Sequence, residues 1–296
     1  MTEAALQAAF EEGERGDWAA YVLRQATGSR TVDLRPRLAR LAAGLPGLEL
    51  RAQVLAIDAE PRVSMLAARA ERLLERGFES YHLLVELFAR KEELARKAGF
   101  AGYAQLCIAA DGLTPEVVED ELELADTAIE PAPPASMDTA EVLERLPPPE
   151  GVEVRFEPFA LVGGMTKVLR WPDHIGVVVR DRTDVHTLAH ELGHALQCRE
   201  RAAAGLGFLD WFALGAVDAE TAAFAAEREL FGRPAFEREW LARARFELGA
   251  YAAAHDGVLA PGAWSRERHG FWTEDPMRSY AYPLAYVRSS AASRRA

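Results

Sequence analysis

Apolar positions recur three and four residues apart through most of the chain, which predicts a mainly helical protein. From Pro61, the positions Val63, Leu66, Ala70, Leu73 and Leu74 form one stripe. Proline takes the first helical position there, and Gly77 ends the run. A second stripe of Leu84, Leu87, Phe88, Leu94 and Ala98 begins near Ser80 and stops at Gly99. Glu92–Arg96 and Glu93–Lys97 are i,i+4 pairs on its outer side. Residues 1–60 read as three or four short helices punctuated by Gly28, Pro36, Gly44, Pro46 and Gly47, with Trp18 and Tyr21 as core. Thr114 and Pro115 open a further acidic helix running to Ala128.

The period changes to two after residue 150. Val152, Val154 and Phe156 alternate with Glu153, Arg155 and Glu157, as in a half-buried strand. Gly163 and Gly164 read as a turn, and Lys167–Arg170 and Ile175–Arg180 as two more strands, so a small antiparallel sheet is expected. Between the helical and alternating regions, residues 131–150 carry Pro131, Pro133, Pro134, Pro147, Pro148 and Pro149 around a short helical piece, Thr139–Leu146. Such composition stiffens a connector. The expected organisation is therefore a helical N-terminal region (1–130), a Pro-rich linker (131–150) and a second region (151–296), in a mainly α (α+β) fold.

Chemistry concentrates in Thr187-Leu188-Ala189-His190-Glu191-Leu192-Gly193-His194-Ala195. At about 100° per residue, His194 lies about 40° round from His190, so two imidazoles share one stripe and can grip one metal ion. Glu191 flanks that stripe, where it can reach a metal-bound water. Val185, Leu188, Leu192 and Ala195 make the opposite, apolar face, and Asp184 or Thr183 caps the helix. Gly193 lies on the metal side, where a missing Cβ admits another segment. A surface helix with two solvated histidines has the same spacing. A catalytic zinc takes three protein ligands, so a third is sought downstream. Val217–Glu227 reads as a helix with Glu220 and Glu227 on one face otherwise made of Ala223 and Phe224. Glu220 is assigned as third ligand with Asp218 as rival, and Glu227 as the acceptor that orients a ligating histidine. Cys198 reads as a buried thiol rather than a ligand.

Asp184-Val185-His186-Thr187-Leu188-Ala189-His190-Glu191-Leu192-Gly193-His194-Ala195-Leu196 resembles the signature helix of the thimet oligopeptidase and oligoendopeptidase F family of zinc metallopeptidases. The spacing to Glu220 and Glu227 is similar to that family's as well. Gly176-Val177-Val178-Val179-Arg180 resembles its substrate-binding edge strand, and the turn Gly99-Phe100-Ala101-Gly102-Tyr103 resembles the end of one of its helices. Tyr280-Ala281-Tyr282-Pro283-Leu284-Ala285-Tyr286 resembles its tyrosine-rich C-terminal segment, with Tyr282 and Tyr286 the best matches and Tyr280 the third. The family places a histidine shortly before the first tyrosine. Here Glu274-Asp275-Pro276-Met277-Arg278 holds none, and Arg278 is the nearest substitute.

The resemblance implies a helical zincin-like fold, one Zn²⁺ per chain on His190, His194 and Glu220, Glu191 as base, and Tyr282 or Tyr286 as donor to the oxyanion. The expected reaction is hydrolysis of oligopeptides, with the edge strand holding the substrate backbone. A peptide-binding relative with little turnover and a metal-free helical interaction protein are the alternatives. The net charge of −12 and the lack of a basic block argue against nucleic acid. No apolar run reaches a membrane span, and the acidic start with Glu3, Glu11 and Glu12 does not read as a signal peptide. Two cysteines, Cys107 and Cys198, fit a reducing cytoplasm.

Overall fold

The computed structural model describes residues 2–23, 31–75, 81–128, 137–158, 163–236, 238–259 and 279–292. In chain order its helices are α1 (Glu3–Asp17), followed by a π turn over Trp18–Val22, then α2 (Thr31–Ala42), α3 (Glu49–Asp58), α4 (Pro61–Glu75), α5 (Tyr81–Lys97), α6 (Tyr103–Ala110), α7 (Pro115–Ala128) and α8 (Thr139–Arg145). Three strands follow: β1 (Val152–Phe156), β2 (Gly164–Arg170) and β3 (His174–Val179). The remaining helices are α9 (Val185–Ala203), α10 (Phe208–Phe212), α11 (Ala216–Phe231), α12 (Arg238–His255) and α13 (Ala281–Ala292). The fold is mainly helical with one small sheet. Pro36, expected as punctuation, lies inside α2.

The sheet order is β1-β3-β2, with β2 antiparallel and β1 parallel to β3. The sheet is therefore mixed, which corrects the expected antiparallel one. The Gly176–Arg180 stretch is also not an edge, because β3 is the central strand. Its composition explains this. Ile175, Val177, Val178 and Val179 are all fully buried, and a strand covered on both faces shows a continuous apolar run instead of alternation. The edge nearest the metal helix is β2, which starts at Gly164, inside the stretch read as a turn.

Contacts divide the chain into two units, and the division is not at 131–150. One unit contains residues 1–34, 124–237 and 284–296; the other contains 35–123 and 238–283. The N-terminal helix belongs with the sheet because α1 side chains bond the β2 backbone. Val168 N–H donates to Glu14 Oε2 at 3.2 Å, Trp171 N–H to Glu11 Oε1 at 2.9 Å, and Arg15 Nη1 to the Leu169 carbonyl at 2.8 Å. Trp18 packs with Val22, Leu169 and Val178 in this unit's core, as expected of it; the Tyr21 side chain lies outside the described residues. Pro131, Pro133 and Pro134 also lie outside them.

The other unit is helical. Phe88 on α5 stacks on Tyr251 of α12 at 4.3 Å, and Tyr103 on α6 meets the same ring at 5.0 Å. Beneath these rings the Lys91 ammonium pairs with Asp58 at 2.8 Å.

Candidate metal centre

α9 starts where Asp184 Oδ1 accepts the Thr187 N–H at 3.0 Å, one of the two caps read from the sequence. Its apolar face, Leu188, Leu192 and Ala195, is fully buried. On the other side α11 lies close, and Gly193 is the reason. A methyl at Gly193 would stand 2.7 Å from Ala223 Cα and 3.0 Å from Ala226 Cβ. The helices therefore meet across glycine and alanines, and the longer side chains on either side of that contact converge.

Three of them form a donor set. Glu220 Oε2 lies 3.1 Å from His190 Nε2 and 3.7 Å from His194 Nε2, and the three ligand atoms all lie within 4.8 Å of one another. Two imidazole nitrogens and one carboxylate are a donor set that suits zinc. Glu227, one heptad on, is 2.8 Å from His190 Nδ1 through Oε1, and its Oε2 accepts the Ala235 N–H at 2.8 Å. With Nδ1–H given to Glu227, Nε2 carries either a proton for Glu220 or a lone pair for a metal. Burial works against a charge on His190, but the bonds to Glu220 and Glu227 outweigh it and hold its pKa well above 6.5. Burial works against a charge on Glu227 too, and His186 and His190 outweigh it and hold that carboxyl below 4.5.

Glu191 flanks the set, as its position in the sequence requires. It is 8% exposed. Burial pushes its carboxyl up to about 7, against the opposing effects of His190 and the Thr166 hydroxyl. Thr166 Oγ1 donates to Glu191 Oε2 at 2.7 Å and also lies 2.9 Å from the Glu191 carbonyl. A methyl on Gly164 would run into Thr187 Cγ2 and stand 2.8 Å from Glu191 Oε1. Thr166 and Gly164 thus place the glutamate, and the sequence reading passed over both.

The rivals separate cleanly. Asp218 has a side chain 59% exposed and lies 3.9 Å from Arg288, outside the donor set. Cys198 is buried, and burial pushes its thiol up to about 12 despite a bond with Trp211. His186, one turn before His190, was quoted in the motif without a role. Its Nδ1 stands 3.6 Å from Glu227 Oε2, just beyond ordinary hydrogen-bond reach, and its ring lies 4.1 Å from that of Phe231.

The C-terminal tyrosines are engaged with other partners. Tyr286 is 3% exposed, packs against Phe224 and Phe236, and gives its hydroxyl to the Ala128 carbonyl at 3.3 Å. Phe224 in turn meets the His190 ring edge-on at 5.2 Å. Tyr282 and Tyr280 belong to the other unit. There Tyr282 meets Trp240 edge-on at 4.6 Å, and Tyr280 donates to Asp111 at 2.6 Å. α13 begins at Ala281, so Pro283 sits in the first turn, where its missing N–H would have no intrahelical partner. The zone 274–278 lies outside the described residues.

No family model matches the chain, and no curated protein or solved structure matches it either. No helix among the described residues is long and apolar enough to cross a membrane.

Proposed function

We propose that this chain is a zinc-dependent peptidase with a zincin-like arrangement of metal helix and edge strand. The observation that carries the reading is the convergence of His190, His194 and Glu220 from two helices, with Glu191 beside them and bonded to Thr166. His190, His194 and Glu220 would hold the ion, and Glu227 would keep His190 turned toward it. When bound, a zinc ion there supplies Lewis acidity and a lowered water pKa. Glu191 takes a proton from the attacking water and delivers it to the leaving nitrogen. The water oxygen joins the carbonyl carbon, the C–N bond breaks, and a carboxylic acid and an amine result. The outer edge of β2, next to Glu191, offers backbone groups to an extended oligopeptide. Both cysteines are free and buried, which fits a cytoplasmic protein.

A second reading is a peptide binder with little turnover. It draws on Tyr286, whose hydroxyl is committed to the Ala128 carbonyl. The Glu191→Gln variant decides between them, using a fluorogenic peptide library and elemental analysis. The peptidase reading expects near one zinc equivalent in both proteins and a turnover lower by roughly 10²–10⁴ in the variant, the usual range for a general base. Zinc-loaded wild type that binds library peptides without cleaving them would establish the binder.

A further inference from the structure

Among the described residues, the outer edge of β2 has no strand partner, and α1 covers its far end. β2 pairs with β3 on one side. In an antiparallel pair, alternate residues turn both backbone groups away from the partner. The Gly163 carbonyl faces β3, where it accepts the Arg180 N–H at 2.8 Å, and the Val168 N–H faces outward to Glu14. Between these anchors the alternation turns Gly164 and Thr166 outward, on the stretch that lies against Glu191. The register shifts between Val168 and Arg170, and this brings the Val168 N–H and the Leu169 carbonyl to the outer edge in succession. From Val168 onward that edge is filled by Glu14, Arg15 and Glu11 of α1. Lys167 clamps the helix in place, with Nζ 3.1 Å from Glu14 and 3.0 Å from Asp17.

We propose that α1 is a stop on the substrate-pairing edge, so that the chain trims short peptides from their N-terminal end. The inference rests on the peptidase reading. A peptide added antiparallel to β2, the slightly more stable pairing, runs its N-terminal residues toward Val168 and meets α1. At about 3.3 Å per residue, about two residues fit between the bond beside Glu191 and that obstacle. The favoured ligands are peptides whose scissile bond lies one or two residues from the N-terminus, with length on the C-terminal side left open.

The test uses one peptide core extended stepwise at its N-terminus and, in a second set, at its C-terminus. Each is assayed with zinc-loaded wild type, with products identified by mass spectrometry, and titrated calorimetrically into Glu191→Gln protein. The stop predicts that residues beyond the second on the N-terminal side lower both kcat/KM and affinity by roughly tenfold or more, through lost backbone pairing. C-terminal additions should leave both nearly unchanged. Equal cleavage and binding of N-terminally extended peptides would overturn the stop and leave the peptidase reading standing. A penalty on C-terminal additions alone would overturn the direction proposed. Length-dependent binding without cleavage by wild type would support the stop and sink the peptidase reading, and no binding or cleavage in either set would sink both.

Discussion

Each unit buries acidic and basic groups together, and one cluster from each, Asp58 with Lys91 and the carboxylates around His190, differs in its base. In the helical unit, Asp58 faces Lys91 at 2.8 Å and accepts the Tyr103 hydroxyl at 2.7 Å. Glu92 next to Lys91 accepts the Tyr103 N–H at 2.8 Å and pairs with Arg96 at 2.9 Å. Burial lowers the Lys91 pKa below 10.5, and Asp58 opposes that shift. In the sheet-containing unit, the bases facing Glu220 and Glu227 are imidazoles. An ammonium offers only protons, whereas an imidazole can release one and present a lone pair. The lysine cluster is thus a closed structural lock, and the histidine cluster can exchange its proton for a cation.

Three tests sharpen that contrast, from the largest effect down. Glu220→Ala should reduce bound zinc from near one equivalent to near none, and Asp218→Ala should leave it unchanged, both by elemental analysis after dialysis. Equal loss in the two proteins would mean that Glu220 is not a ligand. Lys91→Met should leave zinc content alone and lower stability by about 3–5 kcal/mol in urea unfolding, because it strands a buried carboxylate. A variant as stable as wild type would show that the lock is dispensable. Smallest is Tyr286→Phe. With its hydroxyl on the Ala128 carbonyl, the change should cost about 0.5–1.5 kcal/mol of stability and leave kcat alone. A fall in kcat of roughly 10²–10³ would instead establish the oxyanion role expected from the C-terminal motif.

Local spacing carried much of the candidate site. His190 and His194 share a face because four residues exceed one helical turn by a small angle, and Glu220 and Glu227 do so because seven nearly complete two turns. Val63, Leu66 and Ala70 of α4, Leu84, Leu87 and Phe88 of α5, and the Gly99 stop were legible for the same reason, whereas Ala98, read in the α5 stripe, is exposed and Glu92, read on its outer side, is buried. Some local signals were misread. The run of β3 marked a central strand, and Gly164 was taken for a turn although it opens β2 against Glu191. Pro36 was taken for a break although α2 runs through it.

What the sequence by itself determined is therefore one-dimensional: which residues lie on the same side of the same element. Which carboxylate reached the histidines was decided by α9 and α11 meeting at Gly193 and Ala223, which turns Glu220 inward and leaves Asp218 59% exposed. The two units do not divide at 131–150 for a related reason. α1 is bonded to β2 across more than 150 residues of chain, through Glu11, Glu14, Arg15 and Lys167. No periodicity spans such a gap, because those bonds join segments that are remote in the chain and neighbours only in the folded unit.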